Sequence, residues 1–164
     1  MWKLLVKIFR TGLLTEKKSR TVDPTSPSGF ERSLAIRHVD AGSCNGCELE
    51  LAALENPYYA LSSEGVKFVA PPRHADLLLV TGPVTKSMEE PLKKTFEAMP
   101  NPRRVLAVGD CACDGGVFRN SYAVHNGVAP VILVDHQLPG CPPTPEEIRL
   151  AIQQIFRKPR PERK

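Results

Sequence analysis

The sequence predicts an α/β protein built on a doubly wound parallel sheet, and two observations lead to that prediction. Short, continuously apolar runs recur along the chain, most clearly at residues 77–80 and 105–108. Segments with helical patterning separate these runs, so that strands and helices alternate. Because helices cover both faces of a parallel sheet, its strands are unbroken hydrophobic runs rather than alternating ones.

The α/β domain is predicted to occupy residues 34–156. Its strands are expected at residues 34–39, 66–70, 75–80, 105–108 and 131–134, and its helices at residues 47–61, at residues 87–98 and from Pro145 onward. The last helix has a clear start, because Thr144 precedes Pro145 and is followed three positions on by Glu147. That spacing is typical of an N-cap with a capping box.

Composition and charge exclude several classes of protein. The 164 residues are 41% hydrophobic and 24% charged, which is ordinary for one soluble globular domain. No apolar run reaches the roughly 20 residues that a membrane-spanning helix needs. The net charge of +4 is concentrated at the two ends of the chain, with no interleaving of basic and aromatic residues, so a nucleic-acid partner is not expected.

The two ends of the chain are predicted to lie outside the α/β domain. Residues 1–14 have the pattern of an amphipathic helix, and residues 15–33 read as a polar linker that contains proline. Residues 157–164 form a basic tail. We expect the N-terminal helix to contact a membrane surface or a partner subunit, with packing on its own domain as the alternative.

Four cysteines follow predicted strands, in loops that also contain glycine. Cys44 and Cys47 lie in the Gly42–Glu48 stretch, Cys111 follows Gly109-Asp110, and Cys141 follows Gly140. Because the carboxyl ends of parallel strands meet at one edge of a sheet, these thiols are expected to lie close together. A fifth cysteine, Cys113, is more consistent with a small buried residue. Glu48 is expected on an exposed helix face.

Four clustered thiolates are typical of a soft metal centre. Both a [4Fe–4S] cluster and a structural zinc ion are held by four cysteines. Structural zinc usually takes its second ligand pair from another CxxC or from an HxxxH, and the sequence has neither. The residue pattern alone therefore favours iron–sulfur, then zinc, then thiols without a metal.

The three cysteine motifs resemble those of a known family, the small subunits of energy-conserving, membrane-bound [NiFe] hydrogenases. Formate hydrogenlyase and hydrogenase-4 are nearest in character, and the 20 kDa subunit of respiratory complex I belongs to the same family. The resemblance covers about residues 34–156. It implies a flavodoxin-like domain with the cysteine loops at the carboxyl ends of the strands. It also implies one [4Fe–4S] cluster held by Cys44, Cys47, Cys111 and Cys141.

The resemblance also implies what the chain does. The expected task is electron transfer between a ferredoxin-like iron–sulfur subunit and the [NiFe] hydrogenase large subunit, with no bond-making site on this chain. The complex would lie on the cytoplasmic side of the cell membrane, peripherally, against membrane-embedded subunits. The complex I branch has two adjacent cysteines where this chain has Cys44-Asn45-Gly46-Cys47, which favours the hydrogenase branch. A complex I-like quinone oxidoreductase subunit and a zinc-stabilised interaction module are the alternatives.

Overall fold

The computed structural model describes residues 33–157, and within them five strands form one parallel sheet. The strands are β1 (Leu34–Asp40), β2 (Val66–Phe68), β3 (Leu77–Thr81), β4 (Arg104–Val108) and β5 (His136–Leu138). Their spatial order is β2-β1-β3-β4-β5. This is the order of a flavodoxin-like doubly wound sheet, so the predicted fold class is confirmed.

Four α-helices cover the described part of the sheet. They are α1 (Gly46–Ala53), α2 (Glu89–Glu97), α3 (Asp110–Asp114) and α4 (Pro145–Arg157). Three short 3-10 turns occupy Leu61–Glu64, Pro72–His74 and Gly116–Phe118. None of the described helices is both long and apolar enough to cross a membrane. The predicted N-terminal helix and linker, apart from Ser33, and the basic tail after residue 157 lie outside the described residues.

The hydrophobic core has two layers, one on each face of the sheet. In the first layer, Leu77 and Leu79 of β3 pack with Leu54, just after α1, and with Ile148 of α4. In the second layer, the alternate β3 residues pack with Leu92 of α2. The four residues 77–80 are fully buried, which explains the unbroken apolar run in the sequence.

The predicted strand at residues 131–134 is wrong. The amides of Val131 and Ile132 both donate to the carbonyl of Val128, at 2.9 and 3.0 Å, and form a turn. Ile132 is buried in the second core layer. This apolar run therefore covers a face of the sheet, and the strand forms a few residues later as β5. Periodicity does not separate these two roles, because both bury the same side chains.

The helix predicted over residues 47–61 is shorter than expected and ends as α1 at Ala53. The side-chain oxygen of Asn56 accepts hydrogen bonds from the amides of Tyr58 and Tyr59, at 2.9 and 3.1 Å. This Asx turn redirects the chain away from helical geometry. The capping box before α4 is confirmed, because the Thr144 amide donates to Glu147 Oε2 at 2.8 Å and the Glu147 amide donates to Thr144 Oγ1 at 3.4 Å.

Candidate metal centre

The strand register brings the carboxyl ends of four strands into one row. Asp40 at the end of β1 is opposite Thr81 of β3. Thr81 is in turn opposite Val108 of β4, and Val108 is opposite Leu138 of β5. The loops that contain Cys44, Cys111 and Cys141 all begin at this row. Local strand pairing thus places three loops that are distant in sequence along one edge of the sheet.

The Cys44 loop is held by the carboxylate of Asp40. Asp40 Oδ1 accepts hydrogen bonds from the amides of Gly42 and Ser43, each at 2.8 Å. Burial raises the pKa of Asp40, but the hydrogen bonds from Ser43 and Gly42 outweigh it and leave the pKa below its ordinary value. The carboxylate therefore stays charged and fixes the turn that presents Cys44.

Cys47 lies in the first turn of α1 and points at the backbone that follows β4. A Cβ atom on Gly109 would lie only 2.6 Å from Cys47 Sγ. Gly109 also has φ +92°, a conformation that side chains of L-residues rarely adopt. Glycine at this position is therefore what allows the sulfur of Cys47 to approach the turn that leads to Cys111.

Cys111 and Cys141 complete the group from two further loops. Cys111 is buried in the first turn of α3, and Cys141 is exposed in the loop after β5. Burial is the main cause of the raised pKa of Cys111, and negative charge on Cys141 and Cys44 raises it further. The thiols from three loops thus act on one another electrostatically.

The pKa of Cys47 is also affected by the other three thiols. Burial raises the pKa of Cys47 to about 12, and charge on Glu48 and on the thiols of Cys111, Cys44 and Cys141 adds to the effect. Four thiolates at this edge repel one another unless a cation is present. A bound metal supplies that charge and keeps coordinating thiols deprotonated. The donor set therefore fits a thiolate-bound metal centre.

The described residues do not form a ready site for a single metal ion. Among residues 33–157, no group of three or more His, Cys, Asp and Glu side chains is placed to hold one metal ion. A zinc ion binds its four sulfurs at about 2.3 Å, so that they lie close together. A [4Fe–4S] cluster binds one thiolate at each of four separate iron atoms, and its ligands lie further apart.

Comparison with known proteins places the chain in a sequence family. Residues 44–155 match the family described as NADH ubiquinone oxidoreductase, 20 kDa subunit. The matched stretch is more than two-thirds of the chain and contains Cys44, Cys47, Cys111 and Cys141. The chain belongs to this family. The resemblance predicted from the cysteine motifs is confirmed, and so is membership of a family of oxidoreductase-complex subunits.

Similar proteins come from both branches of the 20 kDa subunit family. The probable membrane-bound hydrogenase subunit mbhJ of Pyrococcus furiosus is 47% identical over 71% of this chain and 70% of its own length. Formate hydrogenlyase subunit 7 of Escherichia coli is 42% identical over 71% of this chain, but over only 46% of its own length. A subunit of the NADH-quinone oxidoreductase of Desulfovibrio desulfuricans is 43% identical over 68% of this chain and 62% of its own length. The chain thus spans less than two-thirds of the last two relatives.

A solved structure has the same fold. The membrane-bound sulfane sulfur reductase, an archaeal respiratory membrane complex, contains a chain that matches with a TM-score of 0.67 at 32% sequence identity. The match covers 77% of this chain and 70% of that chain. The described α/β domain therefore has the same fold as that chain.

Cys113, the fifth cysteine, lies in α3 two residues after Cys111. Burial raises the pKa of Cys113 to about 11, with charge on Asp110 and Cys111 adding to the effect, while a hydrogen bond with the backbone of Leu138 lowers it. Cys113 is half-buried rather than fully buried, and its exclusion from the ligand set stays a prediction.

Glu48 was expected on an exposed helix face, and that prediction is wrong. Its side chain is only 16% exposed, and it lies 3.8 Å from Nε2 of His38. Both carboxylate oxygens are buried, without a hydrogen-bond partner in the described chain. The side chain lines a cavity of about 380 Å³ between α1 and β2, together with Arg37, His38, Glu55 and Phe68.

His38 links this cavity to the end of β3. Its Nε2 lies 3.0 Å from Oγ1 of Thr81, a buried residue. Burial lowers the pKa of His38, although charge on Glu48 and Asp40 opposes the shift. The imidazole is therefore held mainly neutral between Thr81 and Glu48. Sequence spacing carried no signal for this arrangement, because the three residues come from separate elements.

Proposed function

We propose that the chain is the electron-transfer subunit of a membrane-bound hydrogenase complex and holds one [4Fe–4S] cluster. The observation that carries the proposal is the group of four thiols from three strand-end loops. Cys44, Cys47, Cys111 and Cys141 would hold the cluster, and the chain contributes no bond-making residue. When bound, the cluster supplies reversible one-electron transfer.

The chain's own residues define the environment of that cluster. Burial of Cys111 and the close approach of Gly109 exclude water from one side of the group. The amide of Val117 hydrogen bonds with the thiol of Cys111, and Asp40 orders the amides beside Cys44. Hydrogen bonds to ligand sulfurs and restricted solvent access tune reduction potential, so these contacts would set the energy of the transferred electron.

The surface near Cys111 is suited to a protein partner. Exposed apolar side chains follow α3, with Val117 at 82% and Tyr122 at 89% exposure. Cys141 is exposed as well. Exposed apolar side chains that gather into a patch mark interaction sites. We assign this surface to the hydrogenase large subunit, because electrons must pass between its nickel site and the cluster over a short distance.

The remaining parts of the proposal concern assembly and location. A ferredoxin-like iron–sulfur subunit would exchange electrons with the cluster from another side, and membrane-embedded subunits would anchor the complex. The chain would then lie peripherally on the cytoplasmic side of the cell membrane. Residues 1–20, with six Lys or Arg and one Glu, would dock it there, since each basic residue near an anionic leaflet contributes about 1 kcal/mol.

The proposal is tested on the complex produced without oxygen. Iron analysis and electron paramagnetic resonance should find about four iron atoms per chain in one reducible cluster. Hydrogen should reduce that cluster in membranes. Bound zinc in place of iron would support the interaction module and contradict the proposal. Deletion of residues 1–20 should release the complex from membranes while leaving its iron content unchanged.

A complex I-like function is the second candidate, because the chain is 43% identical to a subunit of an NADH-quinone oxidoreductase. The Cys44-Asn45-Gly46-Cys47 spacing favours the hydrogenase branch, since the complex I branch resembles it except for two adjacent cysteines at this position. The same membranes separate the two functions. Reduction of the cluster by hydrogen supports the first, whereas quinone-dependent oxidation without any response to hydrogen supports the second.

A further inference from the structure

Asp110 joins two of the cysteine loops. Its Oδ1 accepts a hydrogen bond from the amide of Gly140 at 2.7 Å. Its own amide donates to the carbonyl of Gly140 at 2.9 Å. Cys111 directly follows Asp110, and Cys141 directly follows Gly140. The two hydrogen bonds therefore connect the immediate neighbours of two proposed ligands across thirty positions of sequence.

Two other contacts hold the ends of the Cys141 loop: the amide of Gly109 donates to the carbonyl of Leu138 at 2.8 Å, and Pro143 is buried. The strand before it, β5, has only three residues and lies at the edge of the sheet. Cys141 itself is exposed, so packing does not fix its side chain. Gly140 has φ +140°, and a Cβ there would lie 2.8 Å from the nitrogen of Pro143. Between these two contacts, the described backbone hydrogen bonds of Gly140 are the two that it makes with Asp110.

The Cys44 loop offers a contrast. Asp40 also accepts backbone hydrogen bonds, but its partners Gly42 and Ser43 lie two and three positions away in the same loop. Asp40 therefore shapes one loop, whereas Asp110 sets one loop against another.

We propose that Asp110 is a positioning residue that holds Cys141 at the distance from Cys111 that a shared cluster needs. The inference rests on the proposed function, since it concerns two of the four proposed ligands. The acceptor atom performs the task, because Oδ1 is the atom that Gly140 contacts. The two loops are then arranged before the cluster binds, and ordering the Cys141 loop costs less when it does.

Two conservative variants separate the acceptor from the charge. Asp110→Asn keeps an oxygen at the Oδ1 position and loses the charge. Asp110→Glu keeps the charge and moves the oxygens outward by one methylene. Asp110→Ala removes both. The control is Asp76→Ala, because Asp76 Oδ2 also accepts a hydrogen bond from a distant backbone amide, that of Ala35 at 3.0 Å, but at the opposite edge of the sheet from the cysteine loops.

The experiment uses the full-length chain within its co-produced complex, purified without oxygen and then exposed to air. Loss of the iron–sulfur absorbance is followed in time, and iron per chain is measured at the start. Asp110→Asn and Asp76→Ala should lose absorbance within twofold of the wild-type rate. Asp110→Ala and Asp110→Glu should lose it about tenfold faster, since the loss of one net hydrogen bond corresponds to a factor of that order.

Hydrogen exchange provides a readout that is independent of iron. A peptide containing Gly140 should exchange faster in Asp110→Ala than in the wild type, while a peptide from residues 77–81 of β3 should not change. If both peptides exchange faster, Asp110→Ala has lost its global fold. The positioning role is then decided by whether Asp110→Asn keeps its iron–sulfur absorbance longer than Asp110→Glu.

Three outcomes separate the two proposals. An Asp110→Ala chain that keeps its cluster as long as the wild type overturns the positioning role. Better retention by Asp110→Glu than by Asp110→Asn also overturns it, since charge rather than placement would then matter. A wild-type complex without an iron–sulfur cluster contradicts the proposed function itself.

Discussion

Arg149 of α4 and Glu64 form a partly buried ion pair between Nη1 and Oε1 at 2.8 Å, across 85 positions of sequence. Gln153, one helical turn further on, donates to the other oxygen of Glu64 at 3.1 Å. The pair therefore fastens the last helix to the segment just before the edge strand β2. Both side chains are about four-fifths buried, so solvent screens the pair only weakly.

Arg149→Ala is expected to lower the free energy of unfolding by about 2 kcal/mol, the range of a hydrogen bond between charged groups. Chemical denaturation of the full chain measures the change, and a double-mutant cycle with Glu64→Gln isolates the pair. Lys94→Ala is the control, because the exposed Lys94–Glu90 pair on α2 should contribute less than about 1 kcal/mol. Equal losses at both sites would show that burial of the pair does not matter.

The ligand assignment makes a separate prediction. Serine in place of each proposed ligand should remove the cluster, because serine oxygen is a poor substitute for a soft thiolate ligand. The four variants are Cys44→Ser, Cys47→Ser, Cys111→Ser and Cys141→Ser. Cys113→Ser is the matched control and should keep about four iron atoms per chain. If Cys113→Ser loses iron while Cys111→Ser retains it, the assignment of these two cysteines is reversed.

The sequence predicted best those features whose cause lies within a few neighbouring residues. The β3 strand and the capping box at Thr144 were predicted correctly, because burial on two faces and helix capping leave their signal within a few residues. Cys44 and Cys111 follow strands that were predicted, and parallel strands end at one edge. Cys141 follows β5, and not the strand that was expected at residues 131–134.

Features that depend on distant elements were not predictable in the same way. Glu48 is buried because Arg37 and Phe68, from β1 and β2, enclose the cavity beside α1. The run at residues 131–134 is apolar because it covers the sheet, and no local signal distinguishes that from joining it. Asp110 was noticed only as the neighbour of Cys111, since its partner Gly140 belongs to another strand-end loop.

Gly109→Ala should disturb the cluster more than the fold. The new methyl group would lie 2.6 Å from Cys47 Sγ, and the backbone at φ 92° and ψ 156° lies in a region that is essentially restricted to glycine, where a side chain costs about 1–3 kcal/mol. Gly65→Ala is the control for positive φ without a close contact, because Gly65 has φ 85° and ψ 12°, in the left-handed helical region, and its nearest neighbour, the Cα of Ser33, is 3.6 Å away. Both variants should lose stability in denaturation, Gly109→Ala more than Gly65→Ala, and only Gly109→Ala should lose iron. Iron loss in both would point to backbone strain rather than to contact with Cys47.

Acid should weaken the start of α4. The amide of Thr144, followed by its hydroxyl, lowers the pKa of Glu147 below its ordinary value near 4.5. A lowered pKa in the folded state means that the carboxylate stabilises the fold above the unfolded pKa and loses this effect as the pH falls through the folded one. Glu147→Ala should therefore lower the melting temperature at pH 7 and do so much less at pH 3. If the difference in melting temperature between the wild type and Glu147→Ala is the same at pH 7 and pH 3, the prediction is contradicted.

The exposed apolar surface after α3 should bind the large subunit. Val117 and Tyr122 are 82% and 89% exposed, and the amide of Val117 adjoins Cys111, so a partner seated here would lie beside the proposed cluster. Tyrosine at the centre of an interface commonly contributes about 2 kcal/mol or more. Val117→Asp combined with Tyr122→Ser should therefore reduce co-purification of the large subunit at least about tenfold.

Tyr58→Ser is the matched control for this surface. Tyr58 is 86% exposed, but it lies in the turn beyond the carboxyl end of α1, whereas Cys47 lies at the amino end. Its loss removes the same amount of exposed aromatic surface away from the cysteine loops, so co-purification should be unchanged. If the Tyr58 variant loses the partner while the Val117 and Tyr122 variant keeps it, the large subunit docks at the other end of α1. Electron transfer would then need a route that bypasses the Cys111 loop.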